Sequence, residues 1–498
     1  MADALIDADV NRSGRGRAGP VSKYVLWASL ALGCALSLVV SYGIATQSII
    51  LGSGEGRWVY GYLQPFTARP LIVSLLVSLV GCAMLAAMPE IRAARREWWL
   101  VVAWLLVGLG LQAALRSLTP FSFERMFASD GANSFFSVSG RYYVSTVLGD
   151  FDRVRAYWPL HAQSNMPGKL MLVYALRNIS QRPDVLAWLV VVVSNLGGVL
   201  LYVFVRDLFD DRRMALFSLV LYLFVPAKLF FFPLLNTATP VIVLACACLV
   251  HRWLLTGGSA YAALVGVALY GLVFYEPLPL VMGLLFAALA ARAMWRGDIA
   301  WRRFLAQGGL VVLAFVATFA FVRAWLGFDL MSAARQIGAH AVEFNTAAGR
   351  PYSIWVRENL REFLFGVGIC QAVLFAAALG DGLAARGEPL ASHRDGPGAP
   401  PAGRGGPLGR PNGLQGRLMQ PITVFCLSLL AVVLATDLIG VNRGEVIRLW
   451  IFLACFAQIP AAYVCARLES RAALAMVLAT TVLQGALGTA MIGFILPG

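Results

Sequence analysis

Long apolar runs separated by short polar breaks dominate the chain. Runs of about 20 mostly apolar residues, long enough to cross a hydrocarbon layer, fall near 24–43, 71–89, 98–116, 184–205, 213–232, 238–256, 260–274, 277–293, 306–326, 362–380, 421–440, 449–466 and 472–494. The pattern predicts an all-α, polytopic transmembrane bundle of about 13 helices. Residues 168–178 (GKLMLVYALRN) are helix-like but too short to span and are interrupted by Arg177, so a juxtamembrane helix at the outer surface is expected there. Two long polar connections remain, 117–170 and 327–361, with short turns near Lys228, Glu276 and Glu445. Both long connections are rich in aromatics and poor in Gly/Pro clusters, which favours ordered, functional loops.

Composition agrees with this reading. Of 498 residues, 59% are hydrophobic and only 13% charged, and mean hydropathy is +0.73. An ordinary soluble chain carries about 25% charged residues, so a cytosolic enzyme, a disordered chain and a disulfide scaffold are excluded. Net charge is +14, yet only Lys23, Lys169 and Lys228 are lysines and no basic folded module for nucleic acid is visible. The arginines instead cluster in alternate connections: Arg92/Arg95/Arg96, Arg206/Arg212/Arg213, Arg252, Arg292/Arg296/Arg302/Arg303 and Arg467/Arg471. Arg12, Arg15, Arg17 and Lys23 precede the first run, which has the character of an uncleaved signal anchor. The positive-inside rule then puts the N-terminus inside and the two long loops outside. The segments expected are a cytoplasmic tail (1–23), an N-terminal helix pair (24–97) that reads as an addition, a core (98–380), a disordered Gly/Pro-rich cytoplasmic loop (381–420), and C-terminal helices (421–498) with no soluble domain after them. The eight cysteines lie in or beside apolar runs, so neither a disulfide nor a zinc site is expected.

Candidate chemistry collects in the outer connections. Asp130 lies about a dozen residues past a helix end, in a Ser-Asp-Gly-Ala-Asn stretch that would also serve as a plain turn. The stretch HAQSNMPGK (161–169) supplies His161, Asn165, Pro167, Gly168 and Lys169. FYEPLPL puts Glu276 at the outer end of a helix hairpin. The amphipathic second loop carries Glu343, Arg350 and Arg357, and GEVIRLWIFL puts Glu445 and Arg448 at the mouth of a late helix.

In order and sidedness these elements resemble the GT-C superfamily of polytopic membrane glycosyltransferases, including protein-mannosyltransferase-like and related bacterial enzymes. Their first outer loop has an early acidic residue and then a His-Pro-Pro-x-Gly-Lys-like element; here extra residues separate His161 from Pro-Gly-Lys. The resemblance spans about 98–466. It implies a polyprenyl-phosphate-linked sugar donor, a lipid, glycan or protein acceptor, and a periplasm-facing site in a bacterial inner membrane. Asp130 is then the preferred general base, with Asp150 or Asp152 as fallback. Asn133, Arg141, His161, Asn165, Lys169, Lys228, Glu276, Arg350, Glu445 and Arg448 are the expected substrate-binding residues. Lys169 could equally be an interfacial lysine, His161 could pack on Trp158, and Glu445–Arg448 has the i,i+3 spacing of a simple ion pair. No cofactor is expected. Some members of the superfamily use a divalent cation, but the acid-rich cluster for one is missing. A secondary transporter or lipid flippase is the alternative from another class, although no internal repeat is apparent; an O-antigen-ligase-like transferase would lack the Asp plus Pro-Gly-Lys pattern.

Overall fold

The computed structural model describes residues 21–88, 94–385 and 414–497. The basic N-terminal tail, the turn holding Arg92, His393 and most of the Gly/Pro-rich loop lie outside the described residues. The first helix, α1 (Lys23–Ala45), leads into a hairpin of β1 (Leu51–Ser53) and β2 (Trp58–Tyr60), followed by α2 (Arg69–Ala87) and α3 (Ala94–Arg116). Short helical turns fill 123–163, and then come α4 (Pro167–Arg177), α5 (Pro183–Phe209), α6 (Arg212–Leu223, continued by Pro226–Phe231), α7 (Thr239–Thr256) and α8 (Ser259–Tyr275). The remainder comprises α9 (Gly283–Arg296), α10 (Trp301–Leu326), α11 (Leu330–Ala347), α12 (Tyr352–Val367), α13 (Ile369–Ala384), α14 (Pro421–Ile439), α15 (Ile451–Arg467) and α16 (Arg471–Met491).

Among the described residues ten helices are long and apolar enough to cross a membrane, or eleven if α12 and α13, bent by 98°, form one span. The other two expected runs became α8 and α15, apolar helices short of full spanning length. All thirteen runs are therefore helical. The chain is a multi-pass membrane protein, because its apolar surface has no other solvent: α10 is apolar along its length yet only 6% of its most apolar window is buried in protein. The span that includes α6 is the opposite case, 100% buried at the centre of the bundle, as expected of a helix that is hydrophobic all round.

Side-chain contacts sort the connections into two ends. At one end Arg206 and Arg212 each lie 3.4 Å from Glu97, Arg252 lies 2.7 Å from Asp207, Arg467 lies 3.3 Å from Asp381, and Lys23 lies 3.3 Å from Glu469. At the other end the β-hairpin, the 117–182 connection, α11, the start of α12 and the 440–450 turn meet. The hairpin had no counterpart in the sequence reading, because its strands are only three residues each. The first two helices are also no appendage: α1 packs on α13 and α16, and α2 packs on α16.

The sharp bend at Gly368, whose φ of +104° suits glycine, frees backbone groups that lipid cannot satisfy. Two buried glutamines replace the missing turn. Gln484 donates to Phe365 O and accepts from Ile369 N–H, and Gln458 donates to Val367 O. Asp381, expected in the cytoplasmic loop, lies in α13, which runs on to Ala384. It is buried and accepts from Tyr463.

Single cysteines introduced for Gln47, Asn178 and Arg443 are expected to react with a membrane-impermeant thiol reagent from one side of sealed vesicles. Cysteines at Asp298 and Glu469 should react only from the other. Labelling that mixes the two sets would contradict the two-ended arrangement.

Candidate functional site

Gly168 begins the site. A Cβ there would come within 2.6 Å of the Phe274 carbonyl oxygen and of Tyr275 Cα, so only glycine lets the start of α4 press against the end of α8. That approach sets Lys169 beside Glu276, the residue that ends α8. Their Nζ–Oε2 distance is 3.0 Å, and both side chains are buried. Lys169 also donates to Asn165 Oδ1 at 2.8 Å, and Thr239 donates to Glu276 Oε2 at 2.6 Å. Burial lowers the Lys169 ammonium's pKa, and the adjoining Glu276 carboxylate opposes that fall. Pairing and hydrogen bonding are what make such a buried charge tolerable. The helix of Lys169, too short to span, docks into the protein by its N-terminal half, where Pro167, Gly168, Lys169, Leu170 and Val173 are buried.

A second charged group comes from the far end of the chain. Glu445 sits between Arg448, at 2.5 Å, and Arg350, at 3.4 Å. Burial works against the ionised Glu445 carboxyl, but Arg448, Arg350 and then His161 outweigh it and hold its pKa below the ordinary value. The i,i+3 pair is therefore one side of a three-residue cluster that joins two outer connections.

Between these groups lies a cleft of roughly 210 Å³. His161, Asn165, Glu276, His340, Arg350, Arg443, Glu445 and Arg448 all line it. His161 Nε2–H donates to the Gly131 carbonyl at 2.9 Å. Burial first, then Arg448, drives its pKa down to about 4, so the ring is neutral at physiological pH. It does not pack on Trp158, whose edge-on partners are Tyr142 and Phe151. Three lining residues, Arg350, Arg448 and His340, each have one inaccessible nitrogen (Nε, Nε and Nε2) with no hydrogen-bond partner among the described residues. With Arg350, Arg443 and Arg448 on its lining against Glu276 and Glu445, the cleft is suited to an anion.

The other expected residues lie elsewhere. Asp130 is half exposed on the 129–134 turn, accepts a hydrogen bond from Ser137 Oγ, and lies 3.8 Å from exposed Arg141; neither lines the cleft. Asp130 does adjoin Gly131, whose carbonyl holds His161. Asn133 is buried and donates to Phe127 O, closing the same turn. Asp150 is exposed, and Asp152 accepts from Ser332 Oγ at 2.6 Å, tying the first outer connection to α11. Lys228 is corrected from an outer turn to the core. It is fully buried, donates to Asn195 Oδ1 and Tyr222 O across the break in α6, and lies 3.6 Å from the Tyr222 ring centre. Glu343 is exposed and also lies outside the cleft lining.

Sequence reasoning missed His340, Arg443 and the role of α11. The signal was present: Ile337, His340, Ala341, Phe344 and Asn345 recur at helical spacing and all face the cleft. Among the described residues, no group of three or more His, Cys, Asp or Glu is arranged to hold a metal ion. Comparison with protein-family models and with curated protein sequences found no match.

Lys169→Met leaves Glu276 buried without its cation and should cost about 3–5 kcal/mol, read as a lower unfolding midpoint in detergent. Combining it with Glu276→Gln should recover most of the loss. A single variant as stable as wild type would contradict the pairing.

Proposed function

We propose that this chain is an integral-membrane glycosyltransferase that moves a sugar from a polyprenyl-phosphate donor to a lipid, glycan or protein acceptor. The observation that carries the reading is the cleft itself: a pocket at the end of an apolar bundle whose lining brings together Arg350, Arg443 and Arg448 with His161 and His340. Four cations (Lys169, Arg350, Arg443 and Arg448) outnumber two carboxylates (Glu276 and Glu445) in and beside it. An excess of positive charge suits a phosphate whose charge grows as the glycosidic C–O bond breaks.

An apolar groove adjoins the cleft. Glu276, Pro277 and Leu278 line the cleft, while Pro279, Leu280 and Gly283 begin a groove running between α8, α9 and α10. An amphiphile with an anionic head and a long hydrocarbon tail fits that juxtaposition, whereas a nucleotide sugar would leave the groove unused.

In this mechanism the arginines and His340 take the lipid phosphate, and a carboxylate removes the acceptor hydroxyl proton as it attacks the anomeric carbon. Asp130 is the proposed base. Its nearest cation, Arg141, is 3.8 Å away, whereas Glu276 and Glu445 are held in closer ion pairs and serve to position cations. Phosphate departs without needing a proton, so a second catalytic acid is not required. No cofactor enters the proposal. The end whose short connections carry Arg206, Arg212, Arg252 and Arg467 would face the cytoplasm, and the cleft the periplasm of a bacterial inner membrane.

One observation favours the transporter alternative, the bent helix pair α12–α13, since broken helices line transport sites. Here the freed carbonyls of Phe365 and Val367 are already taken by Gln484 and Gln458, which argues for a structural bend.

Purified protein in proteoliposomes is expected to transfer labelled sugar from a polyprenyl-phosphate donor, and Asp130→Asn should lower kcat by roughly 10²–10⁴-fold. Full activity in that variant would remove Asp130 as the base. Failure of the wild type with every polyprenyl-phosphate sugar supplied would contradict the transferase reading.

A further inference from the structure

Segment 441–446 carries Glu445 into the cleft in an unusual backbone state. Gly444 has φ +86° and Glu445 has φ +61°; the left-handed region is natural for glycine but strained for glutamate. Such a conformation persists where its surroundings over-determine it, and here nearly every residue of the segment is held. Asn345 donates to Val441 O at 2.8 Å, Asn359 donates to Asn442 O at 2.9 Å, and Arg350 donates to Arg443 O at 2.7 Å. In the other direction, Gly444 N–H donates to Asn359 Oδ1 at 3.1 Å, and Val446 N–H donates to Glu362 Oε2 at 3.1 Å.

Two of these clamping side chains, Asn359 and Glu362, come from α12 and touch neither the cleft nor its charged side chains. Both are essentially inaccessible, at 1% and 0% exposure. Asn359 is itself fixed by donating to Asp437 Oδ1. Glu362 Oε1 has no partner among the described residues, so a buried carboxyl group is committed to one backbone N–H. On its other side α12 is braced by the β-hairpin: Trp355 Nε1–H donates to Gly56 O, and Arg361 donates to Ile50 O and Gly52 O. The Trp58 ring centre lies 5.1 Å from the Arg350 guanidinium. Hairpin, α12 and segment 441–446 form consecutive layers behind the cleft.

We propose that Asn359 and Glu362 are positioning residues that fix segment 441–446 so that Glu445 holds Arg350 and Arg448 toward the donor phosphate. The inference rests on the proposed phosphate site. Its consequence is that the hairpin-braced α12, remote from the sugar, governs the rate through the geometry of the arginine pair. Hydrogen-bonded supports of this kind typically matter by roughly 10–100-fold when removed.

The test uses the full chain in lipid nanodiscs and three variants, Asn359→Ala, Glu362→Ala and Glu362→Gln. In both alanine variants amide hydrogen exchange of peptides covering 441–446 should accelerate, while peptides from α7 exchange as in wild type, which certifies the fold. Sugar transfer should lose kcat by roughly 10–100-fold with KM within about threefold, because the arginines are misplaced for the growing phosphate charge. Glu362→Gln keeps an oxygen for Val446 N–H and should restore both protection and most of the rate. Unchanged exchange at 441–446 in the alanine variants, or faster exchange with kcat intact, overturns the positioning role. A wild type that transfers no sugar defeats the transferase reading alone; the clamp on segment 441–446 then stands if exchange there accelerates in the alanine variants and Glu362→Gln restores protection, and falls if exchange is unchanged.

Discussion

Charge inside an apolar bundle has to be neutralised where it sits, because neither lipid nor a close-packed interior can solvate it. This protein meets that constraint by drawing partners from distant parts of the chain. Glu97 takes Arg206 and Arg212, Asp381 takes Arg467, and Lys169 takes Glu276. Pairing also fixes the architecture, since α4 can dock only with its lysine satisfied and only with Gly168 at the contact. Around the cleft the ion pairs are formed, and Arg350, Arg448 and His340 each keep a buried nitrogen without a partner, as Arg116, Arg155 and His251 do elsewhere among the described residues.

Much of the fold was legible because its signal is long and redundant. Each of the thirteen apolar runs is a helix, and the short connections carrying Arg206, Arg252 and Arg467 hold them in ion pairs. Legibility failed where structure depends on few residues or on partners far away in sequence. Three-residue strands leave no periodic trace, and the docking of α1 and α2 against α13 and α16 is written only in matching surfaces. Lys228 shows the same limit: its apolar neighbours are compatible with a snorkelling lysine, and only Asn195 and the break in α6 reveal an internal partner.

For the site, position in the outer connections and the family resemblance singled out Asn165, Lys169, Glu276, Arg350, Glu445 and Arg448, which the structure gathers in and around one cleft. It also suggested Asp150, Asp152 and Arg141, which are exposed on the outer connection. Residue type alone cannot separate a carboxylate that ties two loops, as Asp152 does with Ser332, from one that meets a substrate. His340 was passed over because helical spacing over 337–345 marks a face without saying what that face meets; its value comes from the cleft across from it. The strained Glu445 backbone and its clamp are likewise properties of the assembled molecule, formed by side chains from α11 and α12.

The central claim is that the arginines lining the cleft receive a lipid phosphate. The most direct measurement is an electron cryomicroscopy structure in nanodiscs with a non-transferable phosphonate analogue of a polyprenyl-phosphate sugar. The account predicts phosphonate oxygens within hydrogen-bond distance, about 2.7–3.2 Å, of the Arg350 and Arg448 guanidinium groups, with the prenyl chain leaving along Pro279 and Leu280. A headgroup bound away from the cleft, or an analogue that leaves those donors unpaired, would contradict it.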